Sequence, residues 1–452
     1  MTRSAPILVA ICAAALLGGI LDGASSSAAI GVSRARGFAP HQVVVKFRGE
    51  APGHAIRLPE GVGVHRAVAA LRRRADVAYA APNYIATASA QNPLPPSGIP
   101  NDPGPLEDGG TDGGWVTLQW NFLPWEGQGT AVLPTSPGGI DAIGAWRNLM
   151  AAGHRGARGI TVAVLDTGIA YRAHGKRFRR SPDFTSRQFT RGYDFVGRDS
   201  LPLDENGHGT HVAGTIAEKT NNGVALAGLA YRAKLMPVRV LDRNGSGQAD
   251  DIALGIHYAV AHGADVINMS FNFGCGKRVP GINEELRAAY HAGVLAVASV
   301  GNLGSETCIA PPATGPRVIG VGGSTEGGCL GSYSLRGKGV DVLAPGGGSP
   351  APGCPSVSSA PIYQVTFKGG SPRDFGEPGS YVGTSMAAAH VSGAAALVLA
   401  SRAIDAHHAN PARRVTAVSR RLTHTARSLG LSRLEQGAGL IDADRATDPS
   451  VK

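Results

Sequence analysis

The sequence predicts an α/β fold of three layers, in which a mostly parallel central sheet lies between two layers of helices. Five short runs are rich in Val and Ile on both parities, as expected for strands that are buried on both faces of a parallel sheet. They are Ile160–Leu165, Leu235–Leu241, Val266–Phe271, Val294–Val300 and Val318–Val321. Helical stretches stand between them at Ala249–His262 and Asn283–His291, and this alternation is typical of the three-layer architecture. Asp166 and Asn302 then follow strand ends, where such sheets place their sites.

The composition is that of a globular protein with many tight turns. The 452 residues are 43% apolar and 17% charged, with 64 Gly and 30 Pro, and this length allows two or three units and a large core. The formal net charge of +10 raises the question of nucleic-acid binding. However, the basic clusters are short, at Arg72–Arg74 and Lys176–Arg180, and Phe178 alone interleaves the second. We therefore expect a cationic surface and no nucleic-acid partner.

The first 29 residues have the pattern of a secretory signal. Arg3 supplies a positive start, Ile7–Ile20 forms the apolar stretch, and small residues at Ser25–Ala29 supply a cleavage site. The alternative is a transmembrane anchor, but the apolar run is too short and ends at Asp22. The sequence therefore predicts export, with no membrane span after the signal is removed.

Residues 30–92 form a short unit that we interpret as a propeptide. Its signals are a strand at Gln42–Phe47, a helix at Val68–Arg74 and an extended run at Val77–Ile85. A Pro/Gly-rich linker from Asn92 to Gly114 follows, with a composition typical of exposed, cleavable chain. The alternative is an ordinary N-terminal subdomain. We expect residues 93–150 to be linker and N-terminal extension, and residues 151–452 to be the catalytic domain.

Four cysteines remain once Cys12 is removed with the signal, and an even number in an exported chain predicts two disulfides. Three pairings are possible. We favour Cys275–Cys308, which would brace two loops beside the expected active site, and Cys329–Cys354, which would close a Gly/Pro-rich excursion. A metal site is the weaker interpretation, because the spacings are long and no Cys-x-x-Cys pair occurs.

Three motifs carry hydrolytic chemistry. They are Asp166–Gly168 (Asp-Thr-Gly), the His-Gly-Thr-His run at His208–Gly214, and Gly383–Gly393, which contains Ser385. Acid, imidazole and hydroxyl thus occur in the order Asp, His, Ser. The order in α/β-hydrolases is Ser, acid, His, and that in chymotrypsin-like enzymes is His, Asp, Ser. The order in this chain predicts a serine endopeptidase of another kind.

Each motif suits one role. Ser385 needs a base to take its proton, and the helix predicted to start there presents free N–H groups to developing negative charge. The alternative is an N-cap serine, worth about 1 kcal/mol. His208 is the candidate base, with His211 as a rival that we interpret as a packing residue. Asp166 would accept the Nδ1–H of His208.

Other hydrolase classes lack support. Asp166-Thr167-Gly168 also matches the aspartic-protease signature, but a single chain of that class needs two such motifs and no second one occurs. There is no His-Glu-x-x-His helix and no Gly-x-x-x-x-Gly-Lys-[Ser/Thr] loop. Zinc-protease and P-loop functions are therefore not predicted.

The three motifs, together with Ser299–Asn302, resemble the subtilase (subtilisin-like) serine protease family over Gln119–Ala446. The resemblance implies a subtilisin-like fold and Asn302 as the side-chain oxyanion donor. It also implies that residues 40–85 are an inhibitory propeptide. Two segments should pair with an extended peptide substrate by strand addition. Their residues are Gly245, Ser246, Gly247, Ser270, Phe271 and Asn272.

Two features depart from the family pattern. Ala389 stands where the family usually has Pro, and we expect the helix to tolerate this because Ala is the best helix former. Thr220–Val224 is similar to the family's calcium loop but compact. Nearby acids are candidate oxygen ligands for calcium, with a solvated loop as the alternative. These acids are Asp194, Asp199, Asp204 and Glu205.

The sequence thus predicts a secreted, monomeric serine endopeptidase that acts on polypeptides through an acyl-enzyme on Ser385. No cofactor is needed for the chemistry, and structural calcium is an open alternative. Its own propeptide would be an intramolecular inhibitor. The alternative function is a secreted protein that binds extended peptides without cleaving them, although such a protein would not need the set Asp166, His208, Asn302 and Ser385.

Overall fold

The computed structural model describes residues 38–48, 54–84, 99–106, 113–126, 133–304, 307–404 and 410–451. The chain divides into two compact units, Met1–Ala90 and Gln91–Lys452. The predicted signal, residues 1–29, lies outside the described residues. None of the described helices is both long and apolar enough to cross a membrane.

The first unit is a three-stranded antiparallel sheet with one helix. Its elements are β1 (Phe38–Phe47), β2 (His54–Arg57), α1 (Val64–Arg72) and β3 (Val77–Tyr84), and the strand order is β2-β1-β3. Val43 and Val45 of β1 are fully buried and form a small core with Val68 and Leu71. The sequence predicted β1, α1 and β3 with shifted ends, and it missed β2.

The second unit is built on a seven-stranded sheet in the order β10-β9-β8-β7-β4-β6-β5, with every pairing parallel. The strands are β4 (Thr161–Asp166), β5 (Tyr193–Asp194), β6 (Lys234–Arg239), β7 (Val266–Met269), β8 (Leu295–Ser299), β9 (Val318–Ser324) and β10 (Val342–Pro345). A two-stranded pair, β11 (Thr366–Phe367) and β12 (Phe375–Gly376), lies apart from it. The five predicted strands are present, and β5 and β10 were missed.

Helices cover the sheet. They are α2 (Ala142–Ala151), α3 (His208–Ala217), α4 (Ala249–Ala261), α5 (Pro280–His291), α6 (Thr384–Ala400), α7 (Pro411–His424), α8 (Arg433–Gln436) and α9 (Ala443–Thr447). α3 packs with α6, α4 packs with α5, and both pairs contact the sheet. All four residues of β7 are buried, as a strand covered on both faces requires. The predicted three-layer α/β fold is confirmed.

Residues 99–106 and 113–126, which precede α2, belong to the folded unit, so the described part of the linker predicted at 92–114 is not exposed chain. Where the structure describes this segment it is tied down. Trp115 is fully buried, packs edge-on against Trp146 with ring centroids 6.0 Å apart, and donates from Nε1 to the Pro100 carbonyl. Asp102 is also fully buried. We call residues 99–106 the N-terminal strap. This chain is held in the fold by apolar burial, because Trp115 is part of the core and Ile99 and Leu106 of the strap pack against it.

Two disulfides match the pairing favoured from the sequence. Cys275–Cys308 has its Cα atoms 5.7 Å apart and Cys329–Cys354 has them 6.1 Å apart, both within the usual range. The first joins the loop after β7 to the loop after β8. It therefore ties together two segments that follow the carboxyl ends of neighbouring strands.

Candidate active site

Asp166 and His208 form the first contact of the site. Asp166 is the last residue of β4 and is fully buried. His208 opens α3 after Gly207, whose φ of +102° lies in the region that favours glycine. The Nδ1 atom of His208 lies 2.8 Å from Oδ1 of Asp166, and the imidazole side chain is 25% exposed. Nδ1 of His208 thus binds the Asp166 carboxylate, and the rest of the imidazole stays partly accessible to solvent.

A buried carboxylate that the sequence did not assign to the site holds the start of α3. Oδ1 of Asp204 accepts the N–H of Asn206 and Gly207 and the hydroxyl of Thr167. Its Oδ2 accepts the N–H and the hydroxyl of Thr210, at 2.9 and 2.6 Å. These bonds satisfy N–H groups at the helix start, so Asp204 fixes where His208 leaves the loop.

Asp166 and Asp204 also affect the pKa of His208. Burial alone would lower the pKa of this imidazole, but the charge and hydrogen bond of Asp166, with a further contribution from Asp204, outweigh it and raise the pKa above 6.5. An acid close to a histidine favours the imidazolium. The site therefore stabilises the form that His208 would take after accepting a proton.

His211, the other candidate base, lies on the same helix but faces a buried environment. His211 is fully buried, its Nε2 donates to the Ile362 carbonyl at 2.9 Å, and its ring stacks on Tyr381 with centroids 4.1 Å apart. Burial lowers its pKa to about 3. The geometry agrees with the interpretation of His211 as a packing residue.

Ser385 is the second residue of α6, directly after Thr384. Its hydroxyl donates to the Ser270 carbonyl at 2.9 Å, and the Ser270 hydroxyl donates back to the Ser385 carbonyl at 2.8 Å. In the structure the Ser385 hydroxyl is thus turned toward β7 rather than bonded to His208. Catalytic hydrogen bonds of this type often tighten only when substrate binds. Within the described part of the chain, no acceptor takes the Ser385 N–H.

Asn302 is held beside Ser385 by Thr384. The Oδ1 atom of Asn302 accepts the N–H and the hydroxyl of Thr384, at 2.9 and 2.8 Å, and that hydroxyl accepts the N–H of Gly301 at 3.2 Å. Both bonds use the amide oxygen, which leaves Nδ2 as the outward donor. A Cβ at position 383 would lie 3.0 Å from this nitrogen, so Gly383 keeps space for it.

The predicted substrate segments differ in exposure. Gly245, Ser246 and Gly247 form an exposed turn after β6, closed by the Asp242 N–H donating to the Ser246 carbonyl at 2.8 Å. The other segment directly follows β7. In it Ser270 is buried and contacts Ser385, Phe271 is half-buried and Asn272 is exposed. Each segment therefore begins at the carboxyl edge of the sheet.

The four acids proposed as calcium ligands already hold protein donors, and this corrects the prediction. Asp194 accepts two N–H groups and the Arg239 guanidinium, and Asp199 accepts the Leu201 N–H. Both oxygens of Asp204 accept hydrogen bonds at the start of α3, and Glu205 forms ion pairs with Arg177 and Arg239. Asp194, Asp204 and Glu205 thus serve the ion pairs of Arg239 or the start of α3.

Different acids contact the predicted calcium loop. Asp102 accepts the N–H groups of Asn221 and Asn222, and Asp183 accepts the Asn222 side-chain amide at 2.7 Å. Burial raises the pKa of Asp102 to about 7, and burial together with repulsion from Asp102 raises that of Asp183 well above its usual range. In the described part of the chain, no three Asp, Glu, His or Cys side chains converge as metal ligands. A cation that used these two carboxylates would thus need backbone oxygens as well.

The comparisons with known proteins agree with this geometry. A profile of the subtilase family matches residues 157–440. Subtilisin Savinase of Lederbergia lenta is 36% identical over 313 residues, covering 69% of this chain and 98% of that protein. The chain belongs to the subtilase family. A thermophilic serine proteinase of Bacillus sp. (strain AK1) is 39% identical over 244 residues, but that match spans about half of each chain, 54% and 53%.

Solved structures support the fold of this subtilase. One of the proteases from Pseudoalteromonas arctica superposes with a TM-score of 0.59 at 30% identity, over 77% of this chain and 98% of that one. A cold-adapted subtilisin-like serine proteinase gives a TM-score of 0.52 at 25% identity. The protein is a serine-type endopeptidase.

Sequence reasoning missed the positioning roles of three residues of this subtilase, although it had named Ser270 as a substrate-segment residue and Asp204 as a calcium ligand. Thr384 orients Asn302, Asp204 orients the start of α3, and Ser270 exchanges hydrogen bonds with Ser385. Thr384 had a signal, because it directly precedes Ser385 within the motif. Asp204 had a weaker one, since an acid four residues before a helix-opening His can bind N–H groups.

Proposed function

We propose that this subtilase is a secreted endopeptidase whose catalytic triad is Asp166, His208 and Ser385. The observation that carries the proposal is the 2.8 Å contact between Nδ1 of His208 and Asp166, at the sheet edge where Ser270 contacts Ser385. β4, which ends at Asp166, and β7, which precedes Ser270, are adjacent parallel strands. Neighbouring strand ends thus bring acid, base and hydroxyl to one edge.

In the proposed reaction, Oγ of Ser385 attacks the peptide carbonyl while Nε2 of His208 takes its proton. Asp166 accepts the Nδ1–H, which keeps Nε2 free to act as base and stabilises the imidazolium. His208 then protonates the leaving amine, and water hydrolyses the acyl-enzyme by the same steps in reverse. The Ser385 N–H and Nδ2 of Asn302 donate to the oxyanion. No step needs a cofactor.

Substrate polypeptides would bind as an extended strand. The segments Gly245–Gly247 and Ser270–Asn272 both follow strands whose carboxyl ends lie at the edge of the sheet that carries Asp166. Recognition by strand addition gives affinity through the backbone and weak side-chain selectivity.

Export and maturation complete the proposal. Residues 1–29 would direct secretion, and residues 30–92 would be a propeptide that inhibits the enzyme until it is removed. The division of the chain at Ala90 supports this, because the small sheet is compact by itself. We also propose that the mature protein is a monomer.

Structural calcium is proposed at the loop Thr220–Val224, where the ion would share the oxygens of Asp102 and Asp183 with the N–H groups that they accept. Two buried, mutually repelling carboxylates suit a divalent cation, which would supply positive charge there and take no part in the reaction. We expect chelation by EDTA to lower the melting temperature of the Ser385→Ala protein by about 5–10 °C. Added calcium should restore it, and Asp102→Asn should remove the response; an unchanged melting temperature would contradict the site.

The central test compares the secreted wild type with Ser385→Ala by intact mass, together with casein hydrolysis and fluorophosphonate labelling. We expect the wild type to lose about 90 N-terminal residues and to be labelled at Ser385, whereas the variant keeps them and cleaves nothing. If folded, mature wild type stays unlabelled and casein is untouched, the peptide-binding alternative replaces the protease.

A further inference from the structure

A surface hairpin carries one of the basic clusters found in the sequence. His174 and Phe178 exchange two backbone hydrogen bonds of 3.2 Å each, and Gly175 at φ +54° makes the turn between them. We call residues 172–180 the cationic hairpin. Its basic side chains are all exposed; they are Arg172, Lys176, Arg177, Arg179 and Arg180. Five cations within nine residues form a concentrated positive surface.

The cationic hairpin lies beside the catalytic histidine. Arg177 forms an ion pair with Glu205, whose other oxygen binds Arg239 at 2.6 Å. Glu205 precedes His208 by three residues, and three residues span at most about 10 Å. The next residue, Asn206, donates from Nδ2 to the carbonyl of Arg243 at 2.9 Å, and Arg243 is exposed in the turn that leads into Gly245–Gly247. The positive surface therefore borders the proposed substrate edge.

The hairpin is fixed in place, and among the described residues Glu205 pairs with Arg177 while several of its other cations have no ion-pair partner. The Arg179 N–H donates to the Pro372 carbonyl at 3.0 Å, and the exposed guanidinium of Arg373 donates to the Lys176 carbonyl. In the part of the chain that the structure describes, no carboxylate forms an ion pair with Lys176, Arg179 or Arg180. Cations of like sign held this close favour an anionic partner.

We propose that the cationic hairpin is an exosite that draws acidic polypeptide segments to the active site, so that acidic polypeptides are the preferred substrates. This inference rests on the proposed function. A peptide suits the surface better than a nucleic acid, because Phe178 is half-buried with the Arg177 guanidinium 5.1 Å from its ring centroid and offers no free stacking face. Attraction between exposed charges acts mainly on association and is screened by salt.

The test uses two peptides with the same cleavable centre, flanked on both sides by four Asp or by four Ser residues. The variant Lys176→Gln/Arg179→Gln/Arg180→Gln is compared with a control of equal charge change, Arg155→Gln/Arg158→Gln/Arg187→Gln. The control residues are exposed and lie near the amino ends of β4 and β6, at the opposite edge of the sheet.

We expect the hairpin variant to lose about tenfold in kcat/KM on the acidic peptide at low salt and less than twofold on the Ser peptide. The loss should vanish in 1 M NaCl, where the Debye length is about 3 Å. Equal losses on both peptides, an equal loss in the control variant, or no preference of the wild type for the acidic peptide would overturn the exosite.

The binding of both peptides to Ser385→Ala, measured by fluorescence anisotropy, separates this proposal from the proposed function. Tighter, salt-sensitive binding of the acidic peptide that disappears in the hairpin variant supports the exosite even if no cleavage occurs. Cleavage of the Ser peptide without any acidic preference overturns the exosite alone. A short single-stranded DNA that binds the hairpin more tightly than the acidic peptide also overturns it.

Discussion

His208 and His211 lie one turn apart on α3, yet their surroundings shift their pKa values in opposite directions. His208 donates to a buried carboxylate and keeps a quarter of its side chain exposed, and its pKa is raised. His211 donates to the Ile362 carbonyl, is fully buried, and has a pKa lowered to about 3. Burial lowers the pKa of both. The partner's charge therefore decides which histidine can act as a base.

Replacing Asp166 by Asn makes His208 resemble His211, because its partner is then neutral. We expect kcat to fall by about 10⁴, since the wrong tautomer is favoured and the imidazolium loses its counter-charge. The measurement is kcat on a chromogenic peptide with purified mature enzyme.

The matched control is Asp265→Asn. Asp265 directly precedes β7 and pairs with Arg414, at the edge of the sheet away from Asp166. We expect it to keep kcat within about threefold. A loss of less than tenfold in Asp166→Asn, with unchanged circular dichroism, would contradict the role of Asp166.

Removing the amide of Asn302 separates oxyanion binding from the chemistry of the histidine. Asn302→Ala should lower kcat by about 10²–10³, a magnitude known from a subtilisin. The acid limb of the pH–rate profile should stay where it is, because Asn302 bonds to Thr384 and carries no charge. A shifted acid limb would mean that Asn302 acts through His208 instead.

Replacing His211 tests the other side of the comparison. His211→Leu leaves the buried Ile362 carbonyl without its donor, so we expect a loss of about 1–3 kcal/mol in the free energy of unfolding. Urea titration in a Ser385→Ala background, which prevents self-digestion, measures it.

The same pair of proteins gives a pH signature. In wild type, only the unfolded state protonates His211 as the pH falls from 6.5 toward about 3, so stability falls over that range. His211→Leu lacks this contribution and should show a shallower loss. Identical pH dependence of the two proteins would contradict the neutral state of His211.

Of the effects on the pH–rate profile, the smallest is expected from Asp204→Asn. The charge of Asp204 helps to raise the pKa of His208, so its removal should move the acid limb of kcat/KM to lower pH. The shift should be smaller than the effect of Asp166, which bonds the ring directly. An unmoved acid limb in a folded variant would show that Asp204 acts only by holding the helix start.

Sequence patterns predicted the central strands of the sheet better than the strand ends or the edge strands. The run Val266–Phe271 contains β7, but the strand stops at Met269 because Ser270 leaves the ladder to bond Ser385. β5 was missed because it is two residues long, and β10 because its four residues end in Pro and are followed by glycines. Short edge strands depend on their neighbours, which periodicity does not record.

Predictions for the site also succeeded in one part and failed in another. Motif order predicted the contact between Asp166 and His208, since both residues carry a chemical signature. The four acids predicted as calcium ligands do not form a metal-binding group among the described residues, because nearness in sequence to the loop does not determine which carboxylates contact it. Asp102, more than one hundred residues upstream of Asn222, is the acid that contacts the loop.

The N-terminal strap limits where a precursor can be processed. Asp102 accepts the N–H groups of Asn221 and Asn222, and the Gly104 N–H donates to the Ala225 carbonyl at 2.8 Å. A cut after Asp102 would detach its anchored carboxylate from the enzyme and leave two N–H groups without acceptors, at about 1–3 kcal/mol each when buried. If the proposed maturation takes place, its scissile bond should therefore lie before Asp102, so that the mature chain keeps the carboxylate that anchors the strap.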